Sequence, residues 1–366
     1  MPAIAVLPGD GIGPEVTAAA RRVLETVRPD LTFTEAIVGA CAYHERGEPL
    51  PAETVQTCAQ ADAILFGAVG GPGFDHLEPG KRPEAAILGL RKHFGLFANL
   101  RPARVFPGMA SRSPLKTELV EGMDLVFVRE LTGGLYFGEK SLTREDGHEV
   151  VRDVLVYRDF EIERAARFAF KLARLRRKKL TNIDKNNVLL SSQVWRRIVI
   201  EVAKDFPDVA LEHLIVDNAA MQLVRDPRAF DVILTENMFG DILSDEAAMV
   251  TGTIGTAASA ALSGAPDANG FGLYEPISGT APDIAGKQQA NPIGAILSAA
   301  MLARYSLGEA DAAWRIENAV VETLATGPRT ADLDPQSPAS TSQFTDAVLA
   351  RLGEPVFSDA ALRMGV

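Results

Sequence analysis

A chain of 366 residues, 47% apolar, with 37 basic against 48 acidic residues and a net charge of −11, has the length of two ordinary domains and the composition of a globular protein. Disorder and collagen-like structure are excluded, and the acidic balance argues against wholesale attraction to nucleic acid or to an anionic membrane surface. Any anionic ligand must therefore meet a local basic cluster, while the two cysteines, Cys41 and Cys58, are too few for a disulfide framework and suggest a reducing compartment.

The stretch Met1–Leu7 is apolar but carries no basic leader, and Pro8-Gly9-Asp10-Gly11 interrupts it early. It reads as a first strand at Ile4–Leu7, not as a signal peptide, and no run reaches the ~18 to 20 apolar residues of a membrane span. The expectation is a cytoplasmic protein without a membrane partner. A helix follows from Pro14 to Val27, since Pro suits the first turn and Glu15 complements the positive helix end. Strands are predicted at Thr32–Val38 and at Ala63–Phe66, and this alternation argues for an α/β sheet. Residues 70–83 are dense in Gly and Pro and form a loop long enough to border a site.

A second domain is expected to begin near residue 100, with alternating apolar series at Leu125–Val128 and Val154–Tyr157 and a charged hairpin-like stretch, Glu139–Arg152, between them. The predicted helix Glu161–Lys179 ends in a basic run, Arg174–Lys179. It could be an RNA-binding patch, but without interleaved aromatic residues it reads better as cations offsetting a helix C-terminus.

Four constellations carry chemistry. Asp241 and Asp245 in Phe239-Gly240-Asp241-Ile242-Leu243-Ser244-Asp245-Glu246 are four apart, so both carboxylates share a helix face. Either a cation lies between them, with Asp217 a third ligand and an all-oxygen set suited to Mg²⁺ or Mn²⁺, or they lie on a solvated face. Arg91, Arg101 and Arg129 either converge on a di-acid or make separate salt bridges; Arg129 stands out because it closes an apolar strand. Tyr136, in a glycine-flanked segment, and Lys185 could exchange protons with a hydroxyl. Gly9-Asp10-Gly11-Ile12-Gly13 imitates a dinucleotide fingerprint, with Glu35 as its ribose acid, but lacks the last glycine. The later loop Gly279-Thr280-Ala281-Pro282-Asp283 is a second cradle, in which Asp283 could bind both hydroxyls of a ribose and so favour NAD over NADP.

Together, Leu7–Glu15, Phe97–Pro102, Arg129–Gly138, Phe239–Glu246 and Gly279–Lys287 resemble the isocitrate/isopropylmalate dehydrogenase family of β-decarboxylating dehydrogenases along nearly the whole chain. The resemblance implies a two-domain α/β fold that is not a Rossmann domain. Its first domain would comprise residues 1–100 and 253–366 and its second 101–252, with the active cleft between them. It implies NAD-dependent oxidation of a 2-hydroxy di-acid followed by loss of CO₂, as in leucine biosynthesis. Arg91, Arg101 and Arg129 would hold the substrate carboxylates, and Asp241, Asp245 and a partner-subunit Asp217 would hold Mg²⁺ or Mn²⁺. Tyr136 and a partner-subunit Lys185 would move protons, in a homodimer whose exchanged arm includes 139–152. Asn187, Ser278, Gly279, Thr280, Ala281, Asp283 and Asn291 would contact NAD. Glu84, Ile87 and Leu88 would select the substrate: an apolar wall and an acid favour 3-isopropylmalate over isocitrate, with tartrate, D-malate or homoisocitrate as the alternatives. Two departures stand out: Ser278 replaces a common His, which removes adenine stacking, and Thr256-Ala257-Ala258-Ser259 replaces a bulkier apolar pair and a Pro, which would loosen that loop.

Overall fold

The computed structural model describes residues 1–353, so 354–366 of the predicted first domain lie outside the described residues. Ten strands form one sheet: β1 (Ala3–Gly9), β2 (Thr32–Glu35), β3 (Ala63–Ala68), β4 (Ala98–Arg104), β5 (Asp124–Glu130), β8 (Lys179–Asp184), β9 (Ala210–Ile215), β10 (Val232–Thr235), β11 (Ala258–Leu262) and β12 (Gly272–Pro276). The remaining two, β6 (Lys140–Glu145) and β7 (His148–Asp153), make a separate antiparallel hairpin over the stretch predicted as an arm. The order in the large sheet is β2-β1-β3-β12-β11-β4-β5-β10-β8-β9. Two parallel wings, β2-β1-β3-β12 and β5-β10-β8-β9, are joined through antiparallel pairings of β11 and β4. The outcome is a mixed α/β fold, as predicted.

Local sequence explains the elements. Every residue of β3, Ala-Ile-Leu-Phe-Gly-Ala, is buried, as befits a parallel strand covered on both faces. The Gly13–Val27 helix buries Val16, Ala19, Ala20, Val23 and Leu24, one stripe at helical spacing, after Pro14 in its first turn. Three predicted boundaries are corrected. The strand at Thr32 stops at Glu35, whose carboxylate turns out to Arg21 (3.0 Å). Val154–Tyr157 forms no strand; only Val156 bridges, to Gly134. The predicted helix to Lys179 runs Asp159–Leu175 and ends before Lys178, which takes a left-handed φ of +61°, and Lys179 opens β8. Its basic tail is held by acids: Arg174 by Asp208 (2.6 Å), and Arg176 by Asp231 (2.8 Å) and Asp124 (2.9 Å). These ion pairs, more than a helix dipole, account for the basic run.

The apolar core is unequal on the two faces of the sheet. On one face a continuous cluster runs from Ile4, Val6 and Leu65 through Leu100 and Val128 to Leu180 and Val232, under the helices Gly13–Val27, Ile293–Tyr305, Ala310–Thr326 and Asp159–Leu175. On the other face it splits in two. One cluster gathers Ala103, Leu125, Phe127 and Ile233, and the other Leu7, Ile64, Phe66, Leu90, Leu131 and Ala261. Residues two apart on a strand share a face, so Arg129 shares that of Phe127 in one cluster, with Leu131 of the other cluster just past the strand end, and Arg101 shares that of Ala103. The gap in the apolar layer is therefore lined with charge. Among the described residues no helix is long and apolar enough to cross a membrane.

Candidate active site

Arg129, at the carboxyl end of β5, is only 2% exposed, and a buried guanidinium must have partners. Its Nε donates to Asn237 Oδ1 (2.9 Å) and its Nη1 to Asp241 Oδ1 (2.6 Å). Burial first, and the neighbouring Arg101 next, pull it down to about 9, so it stays charged at neutral pH. Arg101 of β4 donates to Asn99 Oδ1, Ser244 Oγ and Asp245 Oδ1, and lies 3.2 Å from Asp241. The Asn237–Val250 helix presents Asp241, partly buried, and Asp245, half exposed, together on the face turned to these arginines. Burial alone would raise Asp241, but Arg129, Arg101 and the Tyr136 hydroxyl outweigh it and hold the carboxyl below its ordinary value. Asp245 goes the other way, raised by burial against the pull of Arg101.

Tyr136 Oη donates to Asp241 Oδ2 (2.9 Å). Burial and the adjacent carboxylate push the phenol up to about 12, so it keeps its proton at neutral pH. Arg91, from the Ala85–His93 helix, pairs with Glu275 Oε1 (2.9 Å), while its buried Nε has no partner among the described residues. It is near enough to lower both Asp241 and Arg129. Arg101, Arg129, Tyr136, Asp241 and Asp245 thus form one cluster with Arg91 beside it. Sequence reasoning passed over its positioning residues Asn99, Asn237, Ser244 and Glu275. Only Ser244, three residues beyond Asp241 on the same helix face, gave a local signal.

Lys185 and Asp217 lie apart from the cluster. They pair with each other where β8 and β9 end, with Asn187 exposed nearby. Among the described residues of one chain no three acids, histidines or cysteines gather as a metal site. Asp241 and Asp245 offer two hard oxygen donors, which fit Mg²⁺ or Mn²⁺, while Asp217 of the same chain is not beside them.

The glycine turn after β1 has a different task from the one its pattern imitates. Asp10 accepts from the N–H groups of Ala40 (2.7 Å), Cys41 (2.8 Å) and Gly70 (3.0 Å), closing the start of a short helix and fixing the 70–83 loop. At Gly11, with φ +60°, a Cβ would lie 2.0 Å from the carbonyl oxygen of Thr280, so this glycine lets the two loops touch. Ile12 N–H donates to the same oxygen (2.9 Å).

Thr280 leads into Ala281, a non-glycine residue at φ +38°, before the short turn Pro282–Ile284 that exposes Asp283. Such backbone strain concentrates at functional loops. A Cβ on Gly70 would meet both Glu84 Oε1 (3.0 Å) and the Thr280 methyl (3.7 Å), so the predicted substrate wall and cofactor loop are neighbours. Glu84 is exposed, Ile87 and Leu88 are half-buried, and Ile87 packs on the core. Ser278 is half-buried and Gly279 exposed. The Asn291 side chain is committed to Asp332 (2.8 Å) and to Ile293 N–H, and Thr253 bonds the same Asp332, pinning the turn that leads into Thr256-Ala257-Ala258.

The family model for isocitrate/isopropylmalate dehydrogenase matches residues 3–348. The 3-isopropylmalate dehydrogenase of Pseudoalteromonas translucida is 52% identical over 95% of this chain and 98% of its own. That of Pectobacterium atrosepticum is 56% identical over 94% and 96%. Among solved structures, isocitrate dehydrogenase from Methylococcus capsulatus superposes with a TM-score of 0.86 at 35% identity, covering 97% of this chain and all of that one.

Proposed function

The chain belongs to the isocitrate/isopropylmalate dehydrogenase family, and from that premise we propose that it oxidises 3-isopropylmalate with NAD⁺ and releases the β-carboxylate as CO₂, yielding 4-methyl-2-oxopentanoate for leucine biosynthesis. The observation that carries this reading is the cluster in which the buried Arg101 and Arg129 meet Tyr136, Asp241 and Asp245, with Arg91 beside it, in a gap of the apolar core of an acidic protein. Near-full-length similarity to 3-isopropylmalate dehydrogenases supports it.

Arg91, Arg101 and Arg129 grip the two carboxylates with paired N–H donors. Ile87 and Leu88 receive the isopropyl group, while Glu84 repels the extra carboxylate of isocitrate. Lys185, from a second copy of the chain, takes the hydroxyl proton as C2 is oxidised. Tyr136, which holds its proton beside Asp241, returns one to carbon once CO₂ has left. Asp241 and Asp245, with Asp217 of the partner subunit, would hold a divalent ion that would supply charge stabilisation at the substrate oxygen, and NAD⁺, when bound, would supply the hydride acceptor. Asp283 and the backbone of 278–281 face the nucleotide, with Asn187 and Asn291 as further contacts.

A homodimer with shared sites is supported by exposed apolar side chains on the β6–β7 hairpin, Leu142 and Val151, and on helices, Met221 and Ile242. We read the wings of the sheet as the two domains, 1–100 with 253–366 and 101–252, and the setting as cytoplasmic. NAD⁺ reduction with 3-isopropylmalate, D-malate and isocitrate, each with Mn²⁺, tests the reading; a faster rate with D-malate refutes the substrate. Asp241→Asn is expected to lower kcat about a hundredfold or more, and full activity in that variant refutes the metal role.

A further inference from the structure

Arg101 and Arg104 lie three apart on β4 and so project from opposite faces of the sheet. Arg101 reaches the cluster above. Arg104 opens instead on a cavity of about 760 Å³ between the turn after β4, the end of the Asp159–Leu175 helix and the Ala310–Thr326 helix. Its walls include Phe106, Trp314 and Val321.

The charges in this cavity are unequally committed. Asp124 is engaged by Arg176, and Glu317 by Arg304 (2.7 Å). Arg177, half exposed, gives its Nη2 to the carbonyl oxygens of Asp124 and Phe230, and Glu121, exposed in the lining, makes no ion pair among the described residues. Arg104 is half-buried and makes no hydrogen bond or ion pair among the described residues; its guanidinium lies 4.7 Å over the ring of Phe106. Burial holds it below its ordinary value, with Asp124 and Glu317 compensating in part at a distance. A desolvated cation with no direct partner, set against aromatic and aliphatic walls, is complementary to a ligand with one negative end and an apolar body.

We propose that this cavity is a second ligand site, which takes a small organic monocarboxylate: the carboxylate on Arg104 and the carbon skeleton against Phe106, Trp314 and Val321. The volume suits a small molecule, and no step of the proposed reaction uses Arg104.

The test is a titration of the full-length protein with 4-methylpentanoate, followed by calorimetry and by tryptophan fluorescence. Of the two tryptophans, Trp195 is buried at 2% exposure and Trp314 lines the cavity. The expected result is saturable binding whose fluorescence signal disappears in Trp314→Phe, with no binding of the corresponding alcohol or amine. Arg104→Gln should weaken binding by about tenfold or more while leaving turnover without the carboxylate unchanged. Val321→Trp, which fills the cavity without altering its charge, should do the same. Absence of saturable binding, equal affinity in both variants, or displacement of 4-methylpentanoate by 3-isopropylmalate with Mn²⁺ would each overturn the proposal.

Discussion

Replacing Arg176 by Met keeps the length of the side chain and removes a charge that is 4% exposed. Burial alone would lower this guanidinium, but Asp124 and Asp231 outweigh it and hold it above its ordinary value. Three hydrogen bonds disappear, from Nε to Asp231 (2.8 Å) and from Nη2 to the carboxylate (2.9 Å) and carbonyl (3.2 Å) of Asp124. Asp231, 1% exposed, is left as a buried anion, and stranding one partner of a buried pair costs about 3 to 5 kcal/mol. The Arg177 N–H still reaches Asp231 Oδ2 (2.9 Å), with Arg177 Nε at 3.6 Å from Oδ1, so the low end applies, roughly 3 kcal/mol. With a urea slope of about 3 kcal/mol/M, the midpoint should fall by roughly 1 M. Asp231→Asn in the Met background removes the stranded charge and should recover about 1 to 2 kcal/mol. A loss below about 1 kcal/mol, or a double variant in which both losses simply add, would refute the buried-pair account.

Three other outcomes are expected. Glu84→Ser, an exposed change, should leave stability within about 0.5 kcal/mol and raise isocitrate turnover relative to 3-isopropylmalate by about tenfold; an unchanged ratio in a competition assay removes Glu84 from specificity. Leu142→Asp with Val151→Asp on the hairpin should give an inactive monomer in sedimentation velocity, and an active dimer would show that the arm is dispensable. Titration with a disulfide reagent should count one accessible thiol in the native protein and two in guanidinium, because Cys58 is fully buried and burial pushes its thiol up to about 12, while Cys41 is exposed. Two fast native thiols would contradict the packing of Cys58.

The first strands and the first helix were legible because their signals are local: the apolar run of β3 and the helical stripe from Val16 to Leu24 need no distant partner. The Asp241–Asp245 spacing and the charge closing β5 were legible for the same reason. The partners that make them a site were not. Arg91 and Glu275 are 184 residues apart, Arg101 and Asp245 144, and Arg129 and Asn237 108. The task of Asp10 was hidden for the same reason: the glycine pattern around it only imitates a nucleotide turn, and its contacts lie 30 to 60 residues ahead. The residue after the end of the Asp159–Leu175 helix, Arg176, is likewise held by Asp231, 55 residues on. Registry between distant segments is a property of the packed sheet and leaves no periodic trace in the chain.

The split apolar layer bears on how such a chain can change over evolutionary time. Burial that holds the molecule together is concentrated in the continuous cluster and the two separate ones. The positions proposed to meet the substrate lie in or beside the gap, and Glu84, Ile87 and Leu88 are exposed or half-buried. Exchanging them sacrifices little core. On the proposed reading, a lineage built on this architecture can drift from one hydroxy di-acid to another by a few surface-cheap steps that leave Arg91, Arg101 and Arg129 untouched and cost little of the core.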